Sequence, residues 1–168
     1  MKKVLICFLI MFFTIGCGIN IENNNSNNSN NSNKSNNTIN VSGYNINLKY
    51  TSSLHNMQFK YPEDAITNHL GTYFVMDYMN QDEFIFRVAI AYFTGKTIDK
   101  VMEGSQVQYI ENKMINNRVW SIYEGLNNNH KLINYATDYN GDIYTITFES
   151  GKDINNFIDA FMNNVSFN

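Results

Sequence analysis

Cysteine is nearly absent from this chain. Cys7 and Cys17 are the only two, and none follows over the rest of the 168 residues. A fold stapled by disulfides and a thiolate zinc site in the later part of the chain are both excluded. Positive charge is scarce as well: residues 41–168 carry 9 Lys and Arg against 14 Asp and Glu, a net charge of −5. Without a basic stripe, neither nucleic acid nor direct docking on anionic lipid is expected. Long hydrophobic runs are missing. The longest covers residues 4–16 and rises about 20 Å as a helix, short of a bilayer core of about 30 Å. Catalytic signatures are missing too: no G-x-S-x-G, no S-x-x-K, no glycine-rich phosphate loop and no H-E-x-x-H.

What is present begins with an address. Lys2 and Lys3 precede the apolar run, which closes on Gly16. A charged start, a short apolar stretch and a small residue at the cut point describe a secretory signal peptide over residues 1–16. Gly16 before Cys17, with Ile15 one position earlier, resembles a bacterial lipoprotein lipobox; Thr14 stands where an aliphatic residue is usual. The resemblance implies that Cys17 receives a diacylglycerol thioether and becomes the mature N-terminus, held by acyl chains such as palmitate. Two chains satisfy the rule that stable anchoring needs more than one. The expected location is the extracytoplasmic face of the cell membrane, lipid-anchored. Two other readings stand beside it: an incidental cysteine near a signal-peptidase site, and an uncleaved anchor.

Asparagine and serine dominate next. Residues 22–40 hold one apolar residue, Ile39, with no aromatic and no proline. Such a stretch buries too little to offset the entropy of ordering it, so it reads as a disordered tether. With Cys17 it forms a linker over residues 17–43, followed by a globular domain over residues 44–168.

Strand patterns dominate that domain. In EFIFRVAIAYF, Phe84, Phe86, Val88, Ile90 and Tyr92 share one face. TYFVMDYM precedes it as a hairpin partner across NQDE. RVWSIYEG, KLINYATDY and DIYTITFES make three more strands, the last two joined by Asn140-Gly141, a strong hairpin signal. YNINLKY and MQFKYP form an earlier pair that Pro62 ends. The closing stretch GKDINNFIDAFMNNVSF places Ile154, Phe157, Ile158, Phe161, Met162 and Val165 on one helical stripe, with Asp153 in the first turn. KTIDKVMEGSQVQYIEN reads as a second helix capped by Thr97. Residues 64–70 read as a short helix or an irregular segment.

The order of elements predicts an α+β fold, an antiparallel β-sheet flanked by helices. MQFKYP, KTIDKVM, RVWSIYEG and DINNFIDAFMNNVSF resemble the PsbP-like proteins over residues 44–168. That resemblance implies an α/β/α sandwich shared with photosystem extrinsic subunits and a Ran-binding nuclear import factor. It also implies a non-enzymatic binding or assembly role, by analogy of fold.

Individual residues add little chemistry. His55, His69 and His130 are far apart in sequence and read as solvated loop side chains. Asp138, Asn140 and Asp142, with Glu149 seven residues on, faintly echo a calcium loop, but a hairpin turn explains the same letters. Glu63-Asp64 and Asp82-Glu83 read as turns. Trp120 and most tyrosines read as core, with exposed tyrosines left as a recognition face. The function expected is a membrane-anchored extracytoplasmic lipoprotein acting as a non-enzymatic binding or assembly module. It needs no cofactor and has its membrane contact through Cys17 and a protein partner. An enzyme or metal-binding domain whose acids converge in three dimensions is the alternative, and a small-ligand carrier the third.

Overall fold

The computed structural model describes residues 38–168; the signal segment, Cys17 and most of the linker lie outside the described residues. The described residues form eleven strands and two short helices. In chain order they are β1 (Thr38–Val41), β2 (Tyr44–Leu54), β3 (Met57–Pro62), β4 (Ile66–Leu70), β5 (Tyr73–Asn80), β6 (Glu83–Thr94), α1 (Ile98–Met102), β7 (Val107–Ile115), β8 (Arg118–Asn127), β9 (His130–Tyr139), β10 (Asp142–Ser150), α2 (Asn155–Met162) and β11 (Ser166–Phe167). All pairings are antiparallel. One sheet runs β1-β2-β3-β11 and the other β4-β5-β6-β10-β9-β8-β7.

Tight turns set the registers. The two-residue turns Gln81-Asp82, Asn116-Asn117, Asn128-Asn129 and Asn140-Gly141 all have positive φ at both positions. That conformation matches the twist of the flanking strands, and asparagine and glycine tolerate it best. β9 and β10 accordingly pair from Tyr139–Asp142 to Lys131–Ser150.

The closing helix is shorter than the stretch read as helical, ending at Met162 before β11, but the expected stripe is buried: Phe157, Ile158, Phe161 and Met162 from α2, Ile154 just before it and Val165 just after it. Asp153 lies just before the helix, and its carboxylate accepts from the Asn155 N–H at 3.0 Å. One face of the large sheet receives this stripe. Phe86 meets Phe157 at 4.2 Å between ring centroids, and Phe148 meets Phe161 edge-on at 5.5 Å. Phe59 of the smaller sheet closes the same cluster against Phe74 and Phe161. Trp120 packs there as well, 2% exposed, edge-on to Tyr135 and beside Phe167. Each such aromatic buries a large apolar area in one contiguous core.

Three readings of the sequence are corrected. First, the linker over residues 17–43 overlaps β1, which pairs with β2 from Thr38–Asn47 to Val41–Tyr44 and buries Val41 completely. Second, the helix read over KTIDKVMEGSQVQYIEN stops early. α1 is five residues long, Thr97 caps it by accepting from the Lys100 N–H, and none of its residues is buried. Gly104, at φ +82°, turns the chain out of helix, and the remainder becomes β7. Third, residues 64–70 hold β4, a fully exposed strand against β5. The observed architecture is therefore two antiparallel sheets with two short helices.

Candidate recognition surface

Cross-strand partners share a face, so the registers sort the large sheet into two sides. On the side away from α2 lie Asp77 of β5, Arg87 of β6 and Glu149 of β10, which stand in line: Asp77 opposite Arg87, and Arg87 opposite Glu149. The Arg87 guanidinium holds the Asp77 carboxylate through two bonds, 2.7 and 2.9 Å. That contact raises the Arg87 pKa further, so the group stays charged. Glu149 is buried, accepts from Asn127 Nδ2 at 3.0 Å, and has Oε1 3.4 Å from His130 Nδ1. His130 stacks on Phe84 at 5.4 Å. Beside this row, Thr147 Oγ1 donates to Asn134 Oδ1 at 2.5 Å, and Ala136 and Thr145 are buried; α1 contacts β9.

Acids therefore do meet in space here, but a cation stands between them. Asp77 and Glu149 flank Arg87, and their charges are spent on it, on Asn127 and on His130. Among the described residues no group of three His, Cys, Asp or Glu is placed to hold a metal ion. The calcium-like letters separate for a simple reason. Asp138 is opposite Ile143 in the register, so Asp138 and Asp142 point to opposite faces. Glu149 stands seven residues along an extended strand from Asp142, roughly 23 Å away at 3.3 Å per residue.

His55 and His69 are exposed, as expected, and His130 is half-buried. His130 packs as described above. His55, in the β2–β3 turn at φ +53°, stacks on Tyr92 at 4.6 Å, with Nε2 3.1 Å from Asp142 Oδ2. His69 stays exposed on β4, edge-on to Phe74. Of the adjacent acids, Glu63 bonds Lys49 and Glu83 bonds Lys152 and Tyr44. Those cations hold both carboxyls below the usual range.

A shallow pocket of about 230 Å³ opens at the start of α2, lined by Lys131, Ile133, Phe148, Ser150, Ile154 and Ile158 among others. Its polar groups already have partners. Ser150 Oγ donates to the Ile85 carbonyl at 2.7 Å, Lys131 pairs with Glu124, and Lys152 pairs with Glu83. Ser150 Oγ also accepts from the Lys152 N–H at 3.0 Å, so the hydroxyl is held between two backbone groups.

The tyrosines divide as burial directs. Tyr78, Tyr135 and Tyr144 are core, and burial pushes the Tyr135 phenol up to about 12. Tyr109, on β7, is 54% exposed and stands edge-on to Tyr123 at 5.6 Å on the side away from α2. Met114 and Val119 are opposite each other on that same side, 64% and 50% exposed. Ile110 sits at a bulge between Tyr109 and Glu111 and is also exposed. Gly125 lets this end of the sheet form. A Cβ there would run into the Gln106 carbonyl oxygen at the entry to β7. The outer two strands thus carry exposed apolar side chains on either side of the polar Asn112–Ser121 pair, in which Ser121 Oγ donates to Asn112 Oδ1 at 2.9 Å.

The fold is similar to known structures. The solution structure of cyanobacterial PsbP (CyanoP) from Synechocystis sp. PCC 6803 superposes with a TM-score of 0.51 at 15% identity, covering 71% of this chain and 91% of that one. A crystal structure from Bacteroides thetaiotaomicron VPI-5482 gives 0.47 at 13% identity, covering 71% and 47%. No protein-family model matches the chain, and no curated protein matches it. The described residues thus form a domain with a PsbP-like fold.

Proposed function

We propose that this chain is a bacterial lipoprotein held on the extracytoplasmic face of the cell membrane, and that its domain is a non-enzymatic binding or assembly module. Cys17 carries the acyl chains, palmitate among them, residues 1–16 are removed as a signal peptide, and the Asn/Ser-rich stretch sets the domain off from the bilayer. The likeness to CyanoP supports an accessory rather than catalytic role. The same reading takes the layers as a PsbP-like α/β/α sandwich, with α2 on one side of the large sheet and the α1 segment laid over the other.

One observation carries the binding role. Exposed apolar side chains stand at both ends of the outer hairpin, Tyr109 and Ile110 at one end and Met114 and Val119 at the other, with the Asn112–Ser121 pair between them, while the histidine–acid pair on the same side of the sheet is engaged in internal contacts. Exposed clusters of large apolar residues mark interaction sites, and tyrosine is favoured in them. The partner proposed is a protein docking over β7 and β8.

Cys17→Ala tests the anchor. The variant is expected to leave the membrane fraction or to accumulate as unprocessed precursor. Wild-type protein found soluble, with a free N-terminus other than Cys17, would contradict the proposal.

A further inference from the structure

We propose that β4 binds a second copy of this chain, strand to strand, joining two seven-stranded sheets across a two-fold axis through Asn68. The two edges of the large sheet are built differently. β7 is interrupted by the bulge at Ile110 and carries Glu111 and Lys113. Bulges and edge charges are devices that discourage pairing with another chain. β4 has neither. It reads Ile66-Thr67-Asn68-His69-Leu70, pairs with β5 without a register shift, has no Lys, Asp, Glu or Pro, and is exposed at every position.

The strand is also complementary to itself. Leu70 and Tyr73 close a two-residue turn at Gly71-Thr72. A pair closing such a turn exchanges its backbone hydrogen bonds, so Leu70, Asn68 and Ile66 direct their N–H and C=O groups toward β5. Alternation leaves the groups of Thr67 and His69 directed outward. An antiparallel second copy centred on Asn68 brings Thr67 opposite His69 of the second copy, and each then satisfies the other's free backbone groups. Ile66 falls opposite Leu70 of the second copy, and the two-fold repeats that contact. Both side chains are about two-thirds exposed, 65% and 63%, and Tyr73 extends the row behind Leu70 at 46%. No like charges meet along the five residues, although the domain is net negative. Pairing an edge in this way closes on itself as an isologous dimer, and main-chain bonds supply the affinity. A five-residue edge is a small interface, so the dimer belongs to the weak class and forms with rising concentration.

The test uses the purified full chain in mild detergent. Asn68→Cys, mildly oxidised, is expected to give a disulfide between the two substituted positions, because partners on the axis fall within the Cα separation a disulfide spans. Peptide mapping by mass spectrometry separates that link from any involving Cys7 or Cys17. Glu111→Cys, on the opposite edge, is expected to give little. In sedimentation velocity, wild-type protein is expected to shift to a heavier species with concentration, and Asn68→Lys, which sets two cations face to face, to remain monomeric. A wild type that stays monomeric at every concentration overturns the proposal. So does a dimer that Asn68→Lys leaves intact, or a link at position 111 in place of 68.

Discussion

The two sides of the seven-stranded sheet are made of different material. Toward α2 they are aromatic and dry: Phe86, Phe148, Trp120 and Tyr135 interlock with Phe157 and Phe161, and the smaller sheet adds Phe59. Toward α1 they are mostly polar or small in the middle, with Ile143 a buried exception, and exposed apolar side chains stand at the rim. Arg87 pairs with Asp77 and stands opposite Glu149, Ala136 and Thr145 are buried, and Tyr109, Met114 and Val119 face outward. The two helices repeat the contrast, α2 burying four of its eight residues and α1 none of its five. One side holds the fold, and the other carries the surface proposed above for docking.

Phe161→Ala is the strongest way to break that comparison. It removes a fully buried ring from between Phe59, Phe148 and Phe157, and such truncations cost about 3–5 kcal/mol. Chemical denaturation is expected to show the loss against a total of roughly 5–15 kcal/mol for a domain. A near wild-type midpoint would mean that the aromatic side does not hold the fold.

Asn116→Ala probes how α2 is fastened. The Asn116 amide donates to the carbonyls of Met162 (3.1 Å), at the helix end, and Val165 (3.0 Å), just beyond it; the Met162 carbonyl also accepts from the Val165 N–H at 3.2 Å. The residue also sits at φ +49°, which alanine tolerates poorly. A loss of about 1–3 kcal/mol is expected from the two lost hydrogen bonds and the strain.

Val101→Ala on α1 sharpens the contrast from the other side. Val101 is only partly covered, so the same measurement is expected to register about 1 kcal/mol or less. A loss comparable to that of Phe161→Ala would make α1 a core element and close the side taken here to be open.

The parts legible in the sequence are those where burial writes a period into it. The α2 stripe has a clear helical spacing because one side is wholly buried, and Asn140-Gly141 marks the β9–β10 turn. β4 has no such period, since all five residues face solvent and neither side selects apolar residues. β1 hides in linker-like composition because its cross-strand contacts are polar: Thr38 bonds Asn47 at 2.8 Å and Asn40 bonds Asn45 at 3.2 Å. β7 was open to recognition through Asn116-Asn117, a pair suited to a two-residue hairpin. It implies a strand before RVWSIYEG as well as after, against the helical spacing of Ile98, Val101 and Met102. The polar row is illegible for another reason. Asp77, Arg87 and Glu149 come from three strands, and only the register lines them up.

The central claim is that the side away from α2 is where this domain meets its partner. A photo-crosslinking residue placed at Met114, and separately at exposed Asn156 on α2, tests it in intact cells. The account predicts a discrete protein adduct from position 114 and none from 156. Adducts from 156 alone, or the same adduct from both positions, would contradict it.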